Sequence, residues 1–177
     1  MRKVLFMKGS ELRLIEYMEG SKKRFIIPVY QRNYDWKIEN CKQLYDDLIQ
    51  VIKNNSKTHF FGSIVSVYEP SGRNTEFLII DGQQRLTTMS LLFLALYNLL
   101  EEKIIISEDE SLKDQIYEDF LVDKYQPQEK RMKLKPIKND QKAFSKLFNS
   151  KDDYIKDSNL TINYSYFYER IQKQEIT

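Results

Sequence analysis

The apolar pattern is clearest around residues 77–100. The apolar run 77–80 is short and partly β-branched, which predicts a buried strand. The apolar segment 86–100 that follows is too long for a strand and predicts a helix. Between them lies a polar turn, which consists of Asp81, Gly82, Gln83, Gln84 and Arg85. Because the first N–H groups of a helix are unpaired and its dipole is positive there, we expect this turn to bind an anion such as phosphate.

Apolar residues at three- and four-residue spacing predict further helices. These are expected over residues 10–18, 37–53, 112–121, 139–148 and 160–176. Short strands are expected at about 25–29, 59–68 and 131–136, the last with its lysines facing outward. Residues 59–68 and 76–80 are expected to pair as an antiparallel hairpin around a turn at 70–74. The pattern therefore predicts a helix-rich α/β (α+β) fold with a small mixed sheet of three to five short strands.

Composition narrows the function classes. The 177 residues are 41% hydrophobic and 31% charged, which is typical of one globular domain. A net charge of +2 neither indicates nor excludes binding to nucleic acid. The basic run at residues 22–24 is either a solvated loop or a loop that faces a phosphate. The single cysteine, Cys41, excludes an internal disulfide and falls on the core face of a predicted helix, so we expect a cytoplasmic protein. The single histidine, His59, makes a histidine-based triad improbable and is expected to be structural or exposed.

Membrane segments are not expected. The N-terminal residues contain scattered charges and no apolar core of a secretory signal. The apolar segment 86–100 is shorter than the roughly 20 residues that cross a bilayer. We therefore expect no membrane partner.

A second informative stretch covers residues 30–36, where aromatic and hydrogen-bonding residues alternate. Arg32 lies between Tyr30 and Tyr34, and an arginine beside flat aromatic surfaces suits a phosphate or a nucleobase. The alternative is a surface turn in which aromatic residues such as Trp36 only cover the core. The stretch alone leaves both interpretations open.

The turn at 81–85 also has a structural interpretation. Asp81 and Gln84 have the spacing of a capping box, in which both side chains only satisfy N–H groups. That arrangement does not explain Gly82, which would let a ligand approach the backbone, or Gln83. Nor does it explain Arg85, whose charge opposes the helix dipole and is therefore a functional candidate.

Three motifs in this order resemble the N-terminal domain of GmrSD-type restriction proteins, which are modification-dependent (type IV) systems. The motifs cover residues 27–36, 61–65 and 80–88. The resemblance implies a ParB/sulfiredoxin-like nucleotide-binding fold. It further implies a nucleotide-binding core at residues 1–105 and a helical extension at 106–177. Because the last helical pattern is still running at Thr177, more sequence is expected to follow.

The resemblance also implies the activity. It suggests binding and hydrolysis of a nucleoside triphosphate with Mg²⁺, coupled to cleavage of modified or phage DNA by an HNH-type nuclease. One histidine cannot build an HNH site, so the nuclease is expected in another region or another chain. The expected catalytic residues are Asp81, Gln84 and Arg85, with Asp81 also holding the metal. The expected nucleotide-binding residues are Tyr30, Gln31, Arg32, Gly82, Gln83 and Thr87. Tyr34 and Trp36 are expected to contact the base or DNA.

Two other functions compete with this one. A binding module could read DNA or a nucleotide for a partner without catalysis of its own. Sulfiredoxin-like redox chemistry needs a reactive cysteine at the phosphate turn, whereas Cys41 falls on a helix core face. A Walker-type NTPase is excluded because the sequence has no P-loop.

Overall fold

The computed structural model of the chain describes residues 12–55 and 60–174. Its helices are α1 (Leu14–Met18), α2 (Ile38–Lys53), α3 (Gln83–Glu101), α4 (Leu112–Ile116), α5 (Lys138–Lys146) and α6 (Asn159–Gln172). Helix α4 continues into a π-helical turn at Tyr117–Leu121, and short 3₁₀ turns occur at Gln128–Lys130 and Lys151–Asp153. The strands are β1 (Lys23–Ile26), β2 (Val65–Ser71), β3 (Asn74–Asp81) and β4 (Leu134–Lys135).

The four strands of the described residues form one mixed sheet in the order β2-β3-β1-β4. Strand β1 runs parallel to both β3 and β4, whereas β2 and β3 form an antiparallel hairpin. Phe25 of β1 lies beside Phe77 of β3, with ring centroids 5.5 Å apart, and Tyr17 of α1 packs against both rings. This aromatic cluster attaches the first helix to the centre of the sheet. The predicted fold class is confirmed.

Helix α3 is the centre of the core. Its side chains are buried on most sides, including polar ones such as Thr88 and Ser90, and α6 packs along it. Cys41 of α2 is fully buried, as its position on the apolar face of that helix predicted. None of the helices in the described part of the chain is long and apolar enough to cross a membrane.

The two parts of the predicted domain division are closely joined. Strand β4 follows residue 105 in sequence, yet it completes the sheet beside β1. Helix α6 packs on α3 and α2. Each part therefore supplies elements to the same core. The division into a core at 1–105 and an extension at 106–177 stays a prediction.

Several predicted boundaries were wrong. Strand β2 begins at Val65 and extends to Ser71, so the hairpin turn is only Gly72 and Arg73. The predicted strand at 131–136 shrinks to two residues, and α5 begins at Lys138 without a cap from Asn139 or Asp140. The predicted helix at 10–18 is described only as α1, and His59 lies outside the described residues.

Lys133 is the clearest correction, because the sequence predicted an outward-facing side chain. Its side chain is only 1% exposed, and its ammonium group donates to the carbonyl oxygens of Gly20 and Asp119. Burial lowers the pKa of Lys133 to about 8, although the nearby carboxylates of Asp119 and Asp123 act in the opposite direction. The lysine thus joins three segments, namely the loop before β1, the π-helical turn and the residue before β4.

This burial predicts a pH dependence of stability. An unfolded chain keeps the lysine protonated up to pH 10.5, whereas the folded protein releases the proton from about pH 8. Between these values the unfolded state binds more protons, so the free energy of unfolding rises with pH by up to about 1.4 kcal/mol per pH unit. Urea titrations of the wild type and Lys133→Met at several pH values should therefore diverge above pH 8, in favour of the wild type. The raised pKa of Tyr164 acts in both proteins and cancels. If the difference in free energy of unfolding between the wild type and Lys133→Met did not change with pH, the lowered pKa of Lys133 would be contradicted.

Candidate functional site

The polar turn between β3 and α3 presents unpaired backbone donors. Gly82 is the N-cap of α3 in the left-handed region, with φ of 90°, and its carbonyl oxygen accepts from the N–H of Leu86 at 3.0 Å. Within the described residues no side chain caps this end of the helix, so the N–H groups of Gln83, Gln84 and Arg85 remain unpaired. Three aligned donors at the positive end of a 19-residue helix are suited to an anion.

The capping-box interpretation of Asp81 and Gln84 is not observed. Asp81 is the last residue of β3 and its side chain is exposed. Among the described residues its carboxylate has no hydrogen-bond or ion-pair partner. Gln84 binds another part of the chain, as follows.

The amide of Gln84 holds the loop at residues 33–36. Its oxygen accepts from the N–H groups of Asp35 at 3.0 Å and Trp36 at 3.3 Å, and its nitrogen donates to the carbonyl oxygen of Asn33 at 3.0 Å. The side chain is 5% exposed. A side-chain amide has two N–H donors and an oxygen that can accept twice. Three of these four positions are used by the loop at residues 33–36. Gln84 therefore fixes the loop to the start of α3.

A second set of hydrogen bonds joins the same loop to α6. Asn163 of α6 donates to the Tyr34 hydroxyl at 2.9 Å and to the Trp36 carbonyl oxygen at 2.8 Å. The Tyr34 hydroxyl lies 2.7 Å from the Thr88 hydroxyl, which donates to the Gln84 carbonyl oxygen at 2.8 Å. Burial raises the pKa of Tyr34, so it stays a neutral phenol.

These contacts decide between the two interpretations of the aromatic stretch for two of its residues. Tyr34 is 6% exposed, and the half-buried Trp36 packs against the core. Their rings cover and fill the core in this structure, and their expected contact with a base or DNA stays a prediction. By contrast, Tyr30 is 70% exposed, and Gln31 ties its turn to the end of β3 by donating to the Ile80 carbonyl oxygen at 2.8 Å.

A small cleft lies between this loop, the start of α3 and the C-terminal part of the chain. It is lined by Ile27, Arg32, Tyr34, Gln83, Gln84, Thr87, Pro136, Ile137, Asp140 and Leu160. The enclosed space available to the centre of a water molecule is about 10 Å³, enough for roughly one water. Arg32 lies at the surface of the cleft, where its guanidinium pairs with Asp35 at 2.9 Å.

Gln83 is the most unusual side chain in the cleft. The residue is only 6% exposed, and within the described residues its amide makes no hydrogen bond, but its nitrogen and oxygen reach solvent in the cleft. Gln83 thus offers donors and an acceptor beside the free N–H groups of α3.

Arg85 and Gly82 have structural contacts that the sequence did not predict. The Arg85 guanidinium donates to the Ser63 carbonyl oxygen at 2.6 Å and packs against Gly62, while its Nε is buried without a partner. A Cβ on Gly82 would lie 2.8 Å from the Ser63 carbonyl oxygen. The glycine is therefore required by the packing of residues 62–64, and Arg85 holds the same segment. This corrects the expectation that neither had a structural explanation.

The sequence was compared with models of known protein families. The model of the GmrSD restriction endonuclease N-terminal domain matches residues 14–177. The chain belongs to this family. A search of curated proteins finds no match. The family places the chain in a restriction system, whose enzymes are endonucleases that act on DNA.

The structure brings together some of the predicted site residues and separates others. Arg32, Gln83, Gln84 and Thr87 line one cleft, as does the buried Tyr34, whereas Asp81, Tyr30 and Arg85 lie outside its lining. Sequence reasoning missed Asp140 of α5, whose carboxylate accepts from the Tyr34 N–H at 2.7 Å and whose pKa is raised by burial. A lone acid within a strongly basic segment was the available signal.

Asp81 is the side chain expected to hold Mg²⁺. Within the residues that the structure describes, no group of three or more His, Cys, Asp or Glu side chains could hold a metal ion. Mg²⁺ is commonly bound by one or two carboxylates together with substrate phosphates. The exposed and unpaired carboxylate of Asp81, next to free N–H groups, suits that mode.

Glycine substitutions test the packing at Gly82. Gly20 and Gly82 have similar left-handed conformations, with φ of 101° and 90°, but a Cβ on Gly20 would meet no atom within 4 Å. Gly20→Ala should cost about 1–2 kcal/mol for backbone strain alone. Gly82→Ala should cost at least about 1 kcal/mol more, because its Cβ also overlaps Ser63. Urea unfolding measures both. Equal losses of stability in the two variants would show that the close approach of Gly82 to Ser63 does not matter.

The two adjacent glutamines form a matched pair. Gln84→Met removes the partners of three backbone groups in the loop and should lower the free energy of unfolding by about 2–3 kcal/mol. Gln83→Met removes an unpaired amide and should change stability by less than about 0.5 kcal/mol. Thermal or urea unfolding of the two variants compares them directly. A similar loss in both would contradict the distinct roles assigned here.

Proposed function

We propose that the chain is the nucleoside-triphosphate-binding and hydrolysing module of a cytoplasmic phage-defence restriction system. Hydrolysis would be coupled to cleavage of modified or phage DNA by an HNH-type nuclease outside this chain. The observation that carries the proposal is the start of α3, where three free N–H groups adjoin the unpaired, solvent-accessible amide of Gln83.

The phosphates are assigned to the exposed side of this helix start. The enclosed space of about 10 Å³ holds roughly one water and cannot contain a triphosphate. Arg32 is accessible there, and its only ion pair in the described residues is an exposed one with Asp35, which is of low energetic value. A phosphate oxygen can therefore replace Asp35 as the partner of Arg32 with bidentate geometry.

Hydrolysis requires a water oxygen to attack the γ-phosphorus while the bond to the β-phosphate oxygen breaks. The nucleoside diphosphate leaves with that electron pair, and the water proton passes to the released phosphate. The α3 N–H groups and Arg32 stabilise the charge on the phosphate oxygens. Asp81 either orients the water or binds Mg²⁺, which neutralises phosphate charge when bound. The exposed ring of Tyr30 is available to stack on the base.

Arg85 and Gln84 contribute to this site through the loops that they hold. Arg85 fixes residues 62–64 beside Gly82, and Gln84 fixes residues 33–36 beside Arg32. We assign both as positioning residues, because their side chains are hydrogen-bonded to the backbone of those loops and act on the site through them.

A second candidate function is nucleotide or DNA sensing without catalysis. The engagement of Gln84 with three backbone groups favours it, because the amide is then not free to position an attacking water. Nucleotide binding without phosphate release would select this alternative.

Phosphate release from ATP, GTP, CTP and UTP with Mg²⁺, with and without DNA, tests the proposal. Asp81→Ala should abolish turnover with an unchanged thermal midpoint, because Asp81 makes no structural contact. Asp157→Ala, which also removes an exposed carboxylate, is the matched control and should retain full activity. Wild-type rates in Asp81→Ala, or no turnover by the wild type with any of the four nucleotides, would contradict the hydrolytic assignment.

A further inference from the structure

The strongest concentration of charge lies in and before α5. Residues 130–146 contain seven basic residues and one acidic residue, although the whole chain has a net charge of only +2. On α5 the basic residues recur every fourth position, at Lys138, Lys142 and Lys146, which places them on one side of the helix. We call these three residues the α5 lysine row. Lys135 at the end of β4 lies just before it and is also exposed.

The α5 lysine row combines close spacing along one helix with a lack of acidic partners in the described residues. Within the described residues, lysines such as Lys113, Lys124 and Lys151 form ion pairs with glutamates. No ion pair in this part of the chain includes a member of the row. The single acid of the segment, Asp140, accepts a hydrogen bond from the Tyr34 N–H. Lys138 and Lys142 are exposed and Lys146 is half-buried, so the row presents positive charge to solvent chiefly through its first two members.

The chemistry of the row selects its partner. Protein interfaces are depleted in lysine at their centres, and helices that insert into membranes carry exposed apolar residues beside the basic ones. The apolar residues of α5, Ala143 and Phe144, are both buried and face the core. A row of bare charges suits a polyanion with regularly spaced charges. The lysines rise by about 6 Å per step, so the row spans about 12 Å, comparable with several phosphates of duplex DNA.

We propose that the α5 lysine row binds the phosphate backbone of double-stranded DNA independently of its sequence. The row lies beside the candidate site, since Asp140 and Ile137 at the start of α5 line the cleft. DNA bound along α5 would therefore pass next to the site. The inference shares with the proposed function only the premise that the protein acts on DNA, and it does not require nucleotide hydrolysis.

Binding of the full chain to a fluorescent duplex of about 20 base pairs over a salt series tests this surface, since phosphate contacts make affinity salt-dependent. The test variant is Lys138→Gln/Lys142→Gln. The matched control is Lys42→Gln/Lys53→Gln, which removes two exposed charges from α2. A charge-retaining variant, Lys138→Arg/Lys142→Arg, controls for folding.

The test variant should bind about tenfold or more weakly near 0.15 M salt, and its slope of log affinity against log salt should fall by about 2. The α2 control and the arginine variant should bind as the wild type does. Equal losses in the test and control variants would reduce the effect to net charge and overturn the proposal. So would absence of duplex binding by the wild type, or binding to anionic vesicles in its place. Phosphate release without DNA should be unchanged in the test variant, so failure here is distinguishable from failure of the hydrolytic proposal.

Discussion

The side-chain amide of Gln84 connects the central helix to the loop at residues 33–36, and the arrangement of the candidate site depends on this connection. Its three hydrogen bonds to backbone groups fix the loop in position. The chain of hydroxyl and amide groups from Asn163 through Tyr34 to Thr88 then joins the loop to α6. Because these groups are buried, each would leave an unpaired partner if removed. The helix start and Arg32 are thereby held beside each other.

This arrangement separates structural from chemical roles within one motif. Gly82 and Arg85 form the contact with residues 62–64, and Gln84 forms the contact with the loop. Asp81 and Gln83 make no side-chain hydrogen bond in the described part of the chain, and they lie on either side of Gly82. Of these two side chains, Asp81 is assigned to the hydrolytic chemistry, and Gln83 lies beside the free N–H groups proposed to bind phosphate. The same reasoning applies to the α5 lysine row, whose charges also lack partners in the described residues.

Local periodicity predicted much of the fold, while long-range contacts decided the site. The spacing in α2 and α3 predicted both helices and the burial of Cys41, and the β2–β3 hairpin followed from its turn. Lys133 was predicted to face outward because alternation cannot show that distant carbonyl groups will surround an ammonium group. Tyr34 is buried through Asn163, which is 129 positions away, and Asp140 reaches the loop across 106 positions. No local pattern encodes such pairs.

The free N–H groups at the start of α3 are proposed to bind the phosphates of a nucleotide. An NMR titration of the ¹⁵N-labelled chain with each nucleoside triphosphate and Mg²⁺ tests it most directly. We expect the amide resonances of Gln83, Gln84 and Arg85 to shift and their hydrogen exchange to slow, with smaller changes at Arg32. Shifts confined to other parts of the molecule, or no shifts with any of the four nucleotides, would contradict it.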